Sequence, residues 1–124
     1  QARAARRLRS AVAAQPFMVA GTGRLDTVLM QHFGERVFCK VGAEGVYCAA
    51  LPGPGLGIAL KMDDGNTARA AEVVLVGLVA ALLPMDDADR AVVGPLRDVG
   101  LRNWNGRPVG RLAVAPGWLG AAPA

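Results

Sequence analysis

The sequence predicts an α+β fold in which helices cover an antiparallel sheet. Three short segments rich in β-forming residues follow one another at hairpin spacing, over residues 36–41, 46–51 and 56–62. Strands joined by such short loops pair in antiparallel fashion. Helix-forming segments flank them, an Ala-, Arg- and Leu-rich run over residues 1–14 and an apolar run over residues 68–83.

The elements before the first strand are bounded by proline, glycine and capping residues. The helix over residues 1–14 is expected to stop at Pro16, and a glycine-broken connection follows. Asp26 or Thr27 then caps a short helix that ends near Phe33. These boundaries place the first strand directly after a short helix.

Two further helices and a strand complete the prediction. Asn66 or Thr67 is expected to cap the 68–83 helix, which is apolar almost all round and therefore buried against the sheet. A later short helix begins at Asp86 or Asp87. A final strand covers residues 108–114, beyond a turn at "NG".

Composition limits the class of protein. At 124 residues, 52% hydrophobic and 19% charged, the chain fits one domain or a piece of a larger one. The most apolar stretch, residues 73–83, is too short to cross a bilayer, so no membrane partner is predicted. Two cysteines without a secretory signal predict reduced thiols and a cytoplasmic protein.

The charge of +4 comes largely from arginines near the start of the chain. They are Arg3, Arg6, Arg7 and Arg9. No aromatic residues lie among them, so a solvated helix face is favoured over a nucleic-acid site. A basic nucleic-acid-binding domain is the weakest of the functional hypotheses, and no nucleic-acid partner is predicted.

Lys40 is the residue in the hairpin that needs an explanation. If Glu44 and Gly45 form a two-residue turn, Lys40 pairs with Ala49 across the two strands. The predicted faces are then Lys40, Gly42, Tyr47 and Ala49 on one side, and Val37, Cys39, Val41, Val46 and Cys48 on the other. We expect the thiol side to be packed and the lysine side to be open, with Gly42 leaving room for a ligand. The competing interpretation is an exposed strand lysine without a function.

Other candidate chemistry is weaker. Cys39 with His32 would make a thiol nucleophile and base, but nothing in the sequence orients the histidine. The cysteines are therefore predicted to be small core residues. Cys39, Cys48 and His32 provide too few ligands for a metal site, and none is predicted.

Four blocks carry a resemblance to a known family. They are "PFMVAGTGRLDTVLM", "VFCKVGAEGVYCAALP", "GLGIALKMDDGNTARAAE" and "LRNWNGRPVGRL". In this order they resemble the C-terminal part of the bacterial asparaginase II family, over about Pro16 to Leu112. The resemblance implies the C-terminal portion of a serine β-lactamase-like fold, and hydrolysis of the L-asparagine side-chain amide to aspartate and ammonia by serine acyl transfer.

The resemblance also implies roles for individual residues. Lys40-Val41-Gly42 matches a Lys-x-Gly element on a strand that lines the active site, with Lys40 as a catalytic residue that orients the substrate carboxylate and supports proton transfer. Gly42 belongs to the same substrate-binding element. Thr22 and Gly23 border the substrate cleft, and Arg24 forms an ion pair or contacts the ligand.

The sequence departs from that family in one respect. Its nucleophile lies in a Ser-x-x-Lys element, which is absent here, since Ser10 is the only serine and precedes "AVA". We therefore expect residues 1–124 to be a single C-terminal segment of a larger domain, inactive alone, with residues 117–124 as a flexible tail. Zinc, described for some members, belongs to the N-terminal part, and no cofactor is predicted for this segment.

The expected partners follow from that reading. They are L-asparagine or a similar small amide, and either a second copy of the chain or the N-terminal part, which would cover exposed sheet edges and apolar faces. The alternative function is a non-catalytic module or degenerate homologue that binds a partner through its sheet.

Overall fold

The computed structural model describes residues 2–119 and confirms the α+β class. The helices are α1 (Ala2–Ala14), α2 (Pro16–Ala20), α3 (Leu25–Phe33), α4 (Glu72–Leu82) and α5 (Asp87–Arg97). The strands are β1 (Phe38–Val41), β2 (Val46–Leu51), β3 (Leu56–Lys61), β4 (Asp98–Arg102) and β5 (Pro108–Ala113). A 3₁₀ turn (Gly34–Arg36) precedes β1, and a π-helical turn (Thr67–Ala71) precedes α4.

The strands form two separate antiparallel sheets. The first has the order β1-β2-β3, as the hairpin spacing predicts, so β1 and β3 are its edges. The second is the β4–β5 hairpin. The sequence predicted β5 but missed β4, because the segment "DVGLR" has a glycine and charged ends and becomes a strand through its pairing with β5.

A second helix follows Pro16, where an irregular connection was expected. Pro16 begins α2 because a proline at the first helical position lacks only an N–H that would have no helical partner there. The helix ends when the N–H of Gly21 donates to the carbonyl of Phe17 at 2.8 Å. The predicted end of the first helix before Pro16 is therefore confirmed, and the proline also begins a second helix.

The core lies between the inner face of the first sheet and the helices α3 and α4. Its fully buried large side chains include Leu29, Met30, Tyr47, Leu51, Leu75 and Val79. The prediction that the apolar helix is buried against the sheet is therefore confirmed. The Asn66 cap is confirmed for the π-helical turn that leads into α4, since its side chain accepts a hydrogen bond from the N–H of Ala68 at 3.0 Å. The regular α-helix begins at Glu72, later than the predicted start at residue 68.

The start of α5 confirms another predicted cap. The carboxylate of Asp86 accepts from the N–H of Asp89 at 2.8 Å. The carboxylate of Asp89 in turn accepts from the N–H of Asp86 at 3.4 Å. This reciprocal pair satisfies two backbone donors at the helix start.

The predicted register of the β1–β2 hairpin is wrong by one residue. Lys40 is the Cα partner of Cys48, not of Ala49, and Val41 is the partner of Tyr47. The loop has three residues instead of two, because Gly45 lies under the end of β3, where its carbonyl accepts from the N–H of Met62 at 2.8 Å.

The one-residue shift moves every β2 side chain to the opposite face. Tyr47 and Ala49 are buried with Cys39, whereas Cys48 is exposed beside Lys40. The expectation of a packed thiol side therefore holds for Cys39 and fails for Cys48.

Two further observations concern the chain as a whole. Across residues 2–119, no helix has the length and apolar character needed to cross a membrane. The side chain of Trp118 lies over Gly77 of α4, where an added Cβ would be 3.0 Å from its ring. The predicted flexible tail, residues 117–124, lies partly outside the described residues.

Candidate active site

Lys40 lies on the exposed face of the first sheet, which we call the outer face. This face carries Phe38, Lys40, Val46, Cys48, Ala50, Gly57, Ala59 and Lys61. Lys40, Cys48 and Ala59 form one rung across the three strands, and all three are exposed. The prediction that the lysine side is open is therefore confirmed for Lys40 itself.

Within residues 2–119, the ammonium of Lys40 makes one hydrogen bond. Its Nζ donates to the carbonyl of Val41 at 2.8 Å. A lysine ammonium carries three N–H donors, so two remain to bind a carboxylate or another acceptor. This arrangement suits a group that orients an anionic ligand on the outer face.

Gly42 closes the β1–β2 ladder beside Lys40. Its N–H donates to the carbonyl of Val46 at 2.8 Å. A Cβ at this position would lie 3.2 Å from the Cβ of Val46, so glycine allows close packing of the two strands. The ligand-binding role of Gly42 stays a prediction.

A groove on the same outer face lies two residues from Lys40 along β1. It has a volume of about 590 Å³, and Leu8, Val12, Phe38 and Ala50 line it together with Ala5, Arg6 and Arg9 of α1. The groove is mainly apolar because Leu8, Val12 and Phe38 contribute apolar side chains to it. It extends the outer face into a surface that is large enough for side chains of another segment.

The turn "GTGR" precedes α3. Gly21 and Gly23 have φ angles of +91° and +69°, which favour glycine. Thr22, Gly23 and Arg24 are exposed. The hydroxyl of Thr27 donates to the carbonyl of Gly21 at 2.6 Å and fixes the turn against the start of α3.

The first turn of α3 connects this glycine turn to β1. Among residues 2–119, no hydrogen bond joins Thr22, Gly23 or Arg24 directly to Lys40 or Gly42. Thr27 contacts the glycine turn, and its neighbour Asp26 contacts β1. The two predicted substrate-binding elements are thus joined through the start of one helix.

Asp26 is fully buried, and neither Asp26 nor Thr27 is the helix cap that the sequence predicted. The helix begins at Leu25 with Arg24 at the cap position, two residues earlier than a cap at Asp26 would require. The carboxylate is used elsewhere, since its Oδ1 accepts from the N–H of Val41 at 2.8 Å and its Oδ2 from the hydroxyl of Tyr47 at 2.6 Å.

Burial and the nearby Asp26 carboxylate raise the pKa of two neighbouring groups, the Tyr47 hydroxyl and the Cys39 thiol. Burial, and then the hydrogen bond to Asp26, raises the pKa of the Tyr47 hydroxyl far above its usual range. Burial, followed by the charge of Asp26, raises the pKa of the Cys39 thiol to about 12. Cys39 is therefore a thiol at neutral pH, which does not suit a nucleophile.

Glu72 and Arg24 add charges at the same end of the core. Burial raises the pKa of Glu72, the cation of Arg24 opposes that rise, and the charge of Asp26 adds to it. The Arg24 cation thus favours the ionised form of this half-buried carboxylate, and the role of Arg24 stays a prediction.

The histidine belongs to a different cluster. His32 Nε2 lies 2.8 Å from Asp89 Oδ1, and Arg36 Nη2 lies 2.5 Å from Asp89 Oδ2. His32 is thus held away from Cys39, which does not favour the thiol–histidine pair. Within residues 2–119, no three His, Cys, Asp or Glu side chains converge as a candidate metal site.

Comparison with models of protein families shows the family of this chain. The model of the family described as L-asparaginase II matches residues 1–114. The chain belongs to the L-asparaginase II family. A comparison with curated proteins gave no match. Membership of the L-asparaginase II family gives the chain an asparaginase-type hydrolase function at the level of the family, and the matched range includes both the Lys-x-Gly element and the glycine turn.

The sequence did not identify the contacts of Asp26 with Tyr47 and Val41, next to the Lys-x-Gly element of this L-asparaginase II chain. Asp26 was interpreted as a cap, and Tyr47 was placed on the open face by the wrong register. One signal was available, since a buried tyrosine needs a partner for its hydroxyl. That signal depends on knowing that Tyr47 is buried, and hence on the register.

Proposed function

We propose that the protein hydrolyses the side-chain amide of L-asparagine to aspartate and ammonia by serine acyl transfer, with Lys40 in the active site. The observation that supports this most is the exposed Lys40, followed by Gly42, on the open face of a chain that belongs to the L-asparaginase II family. In this proposal, the Lys40 ammonium binds the substrate carboxylate and supports proton transfer to the serine.

The nucleophile of the proposal lies in a further segment of the polypeptide. Ser10, the only serine here, is on α1, where its hydroxyl donates to Glu35 Oε1 at 2.6 Å. It has no neighbouring Ser-x-x-Lys lysine to act as its base. The proposed serine belongs to a Ser-x-x-Lys element that packs on the outer face and meets Lys40 there.

The steps follow from the chemistry of amides. The serine Oγ attacks the amide carbon of asparagine, and backbone N–H groups stabilise the oxyanion that forms. Ammonia leaves with the proton taken from the serine, and water then hydrolyses the β-aspartyl ester. No step of this proposal uses a metal held by residues 1–124.

Partners and location are parts of the same proposal. The outer face is covered either by the serine-bearing segment or by a second copy of the chain, since it exposes both apolar side chains and strand edges. The two unpaired cysteines suit a reducing compartment, and we place the enzyme in the cytoplasm.

The test is ammonia release from L-asparagine by the full-length gene product, with hydroxylamine as a competing nucleophile. Acyl transfer predicts that hydroxylamine diverts the ester to β-aspartyl hydroxamate while ammonia release continues. The 124-residue chain alone is expected to release none. Ammonia release by this chain alone would overturn the assignment of the serine to another segment.

A partner-binding module is the second candidate, and the apolar groove beside α1 favours it. It predicts no ammonia release from asparagine or glutamine by the full-length product. The enzyme proposal fails on that outcome.

A further inference from the structure

We propose that Asp26 is a positioning residue for the Lys40-Val41-Gly42 element, and this inference rests on the proposed function. Asp26 is 0% exposed and does not reach the outer face. Its two carboxylate oxygens accept hydrogen bonds from both members of one rung, the N–H of Val41 and the hydroxyl of Tyr47. Val41, the β1 member of this rung, lies between Lys40 and Gly42 in the sequence.

The position of the Val41 N–H explains why a side chain is needed there. β1 is an edge strand, and the N–H of Gly42 points toward β2, where it donates to Val46. N–H groups alternate along a strand, so the N–H of Val41 points to the edge that lacks a neighbouring strand. Asp26 supplies the acceptor that a further strand would otherwise provide.

The carboxylate makes this attachment strong and directional. Hydrogen bonds to an ionised acceptor are about twice as strong as those between neutral groups. The distances of 2.8 Å to Val41 and 2.6 Å to Tyr47 are those of well-formed bonds. Each donor comes from a different strand, so the carboxylate fixes the end of β1 against both α3 and β2.

The same helical turn extends the restraint to the glycine turn. Thr27, the residue after Asp26, donates to the carbonyl of Gly21. Movement of the first turn of α3 therefore moves both Lys40 and the turn that contains Thr22 and Gly23. The role of Asp26 is to fix the relative position of these two elements without touching the substrate.

The catalytic consequence is loss of turnover rather than loss of binding. Lys40 is bonded to Val41, so a shift of the Val41 backbone also moves the Lys40 side chain. Displacement of a catalytic group by about 1 Å can reduce the rate about 100-fold. A misplaced ammonium still attracts the substrate carboxylate, so KM changes much less than kcat. A residue that is only structural would lower the amount of folded enzyme and leave kcat per folded molecule unchanged.

The experiment compares Asp26→Leu, Asp26→Asn and Asp89→Leu in the full-length gene product. Asp89 is the matched control, because it is also a buried carboxylate, 3% exposed, but bonds His32 and Arg36. We expect Asp26→Leu to lower kcat about 100-fold with KM within about threefold. Asp26→Asn is expected to restore most of kcat, since its amide oxygen can accept from Val41 and its NH₂ can donate to Tyr47.

Several outcomes would overturn the positioning role. One is a folded Asp26→Leu enzyme with wild-type kcat, and another is an equal loss of kcat in Asp89→Leu. If Asp26→Leu does not fold, hydrogen exchange of the Val41 backbone amide tests the positioning role instead. Protection in the wild type that is largely retained in Asp26→Asn supports the role, and exchange of Val41 in the wild type as fast as an open edge amide contradicts it.

Lys40→Ala separates this inference from the proposed function. If Lys40→Ala retains full activity, the proposed function of Lys40 is wrong, whatever Asp26 does. If Lys40→Ala is inactive while Asp26→Leu is fully active, only the positioning role is wrong.

Discussion

Lys40 and Cys48 are Cα partners across β1 and β2, and both side chains are exposed on the outer face. One residue further along β1, the inner-face partners Val41 and Tyr47 are both bonded to Asp26. The two faces of one hairpin therefore differ in their contacts. The inner face fixes the backbone, and the outer face presents the lysine.

The two cysteines are predicted to differ in reactivity. In the 124-residue chain at pH 8, a disulfide reagent should modify the exposed Cys48 rapidly and the fully buried Cys39 only after denaturation, since burial raises the pKa of Cys39 to about 12. A thiol titration measures this, with Cys48→Ser as the control. Two rapidly reacting thiols, or none, would contradict the register described here.

Gly45 is predicted to tolerate no side chain. Its φ is +72°, and an added Cβ would lie 3.0 Å from the carbonyl oxygen of Met62 and 3.1 Å from the carbonyl carbon of Gly65. We expect Gly45→Ala to lower the free energy of unfolding by about 1–3 kcal/mol. Urea denaturation measures the change, and Gly57→Ala is the control because no atom lies within 4 Å of its added Cβ. Equal stability of the two variants would contradict the account of the hairpin loop.

Protonation of Asp89 is predicted to destabilise the fold as the pH falls. Its hydrogen bond from Arg36 is the main cause that lowers its pKa from 3.8 to about 2. Because the pKa is lower in the folded state, the ionised carboxylate stabilises the fold above pH 3.8, and this stabilisation is lost as the pH falls toward 2.

The measurement is the urea midpoint of Asp89→Asn and wild type between pH 6 and pH 2. The difference between the two proteins should decrease as the pH falls. Asp87→Asn is the control on the same helix. The Asp87 side chain is fully exposed, and its contact with Arg90 is long, at 3.8 Å. A difference for Asp89→Asn that stays constant down to pH 2 would rule out the linkage.

The fold is predicted to lose stability at high pH because the Tyr47 hydroxyl ionises more readily in the unfolded state. Burial raises its pKa above the ordinary 10.0, so the folded state keeps the proton while the unfolded state loses it. The stabilisation is complete below pH 10 and is lost as the pH rises above it. Thermal unfolding of wild type and Tyr47→Phe between pH 8 and pH 11 should show a steeper decrease in the wild type. Parallel curves would show that the hydroxyl does not titrate with unfolding.

The fold was predictable where the signal is local. The 68–83 helix and the three strands have strong periodic or β-forming patterns, and the Asn66 and Asp86 caps have short-range partners. The class and the order of the main elements follow from these signals. β4 has no such pattern and depends on its pairing with β5.

The site was predictable only in part, for the same reason. Lys40 and Gly42 occur as a short motif, and the exposure of Lys40 follows from the alternation of β1. The role of Asp26 depends on contacts 15 and 21 residues away, to Val41 and Tyr47. Those contacts require the observed register, which in turn depends on the packing of Gly45 against Met62. No local pattern contains that information.

The most direct test of the account is ammonia release from L-asparagine by the full-length gene product and its Lys40→Ala variant. Lys61→Ala is the matched control, because Lys61 lies on the same outer face but donates to the loop carbonyls of Glu44 and Met62. The account predicts a loss of about 10²–10⁴-fold in kcat/KM for Lys40→Ala, the range for a group that takes part in proton transfer. It predicts activity close to wild type for Lys61→Ala. Equal activity of Lys40→Ala and the wild type would contradict the assignment of Lys40 to the active site.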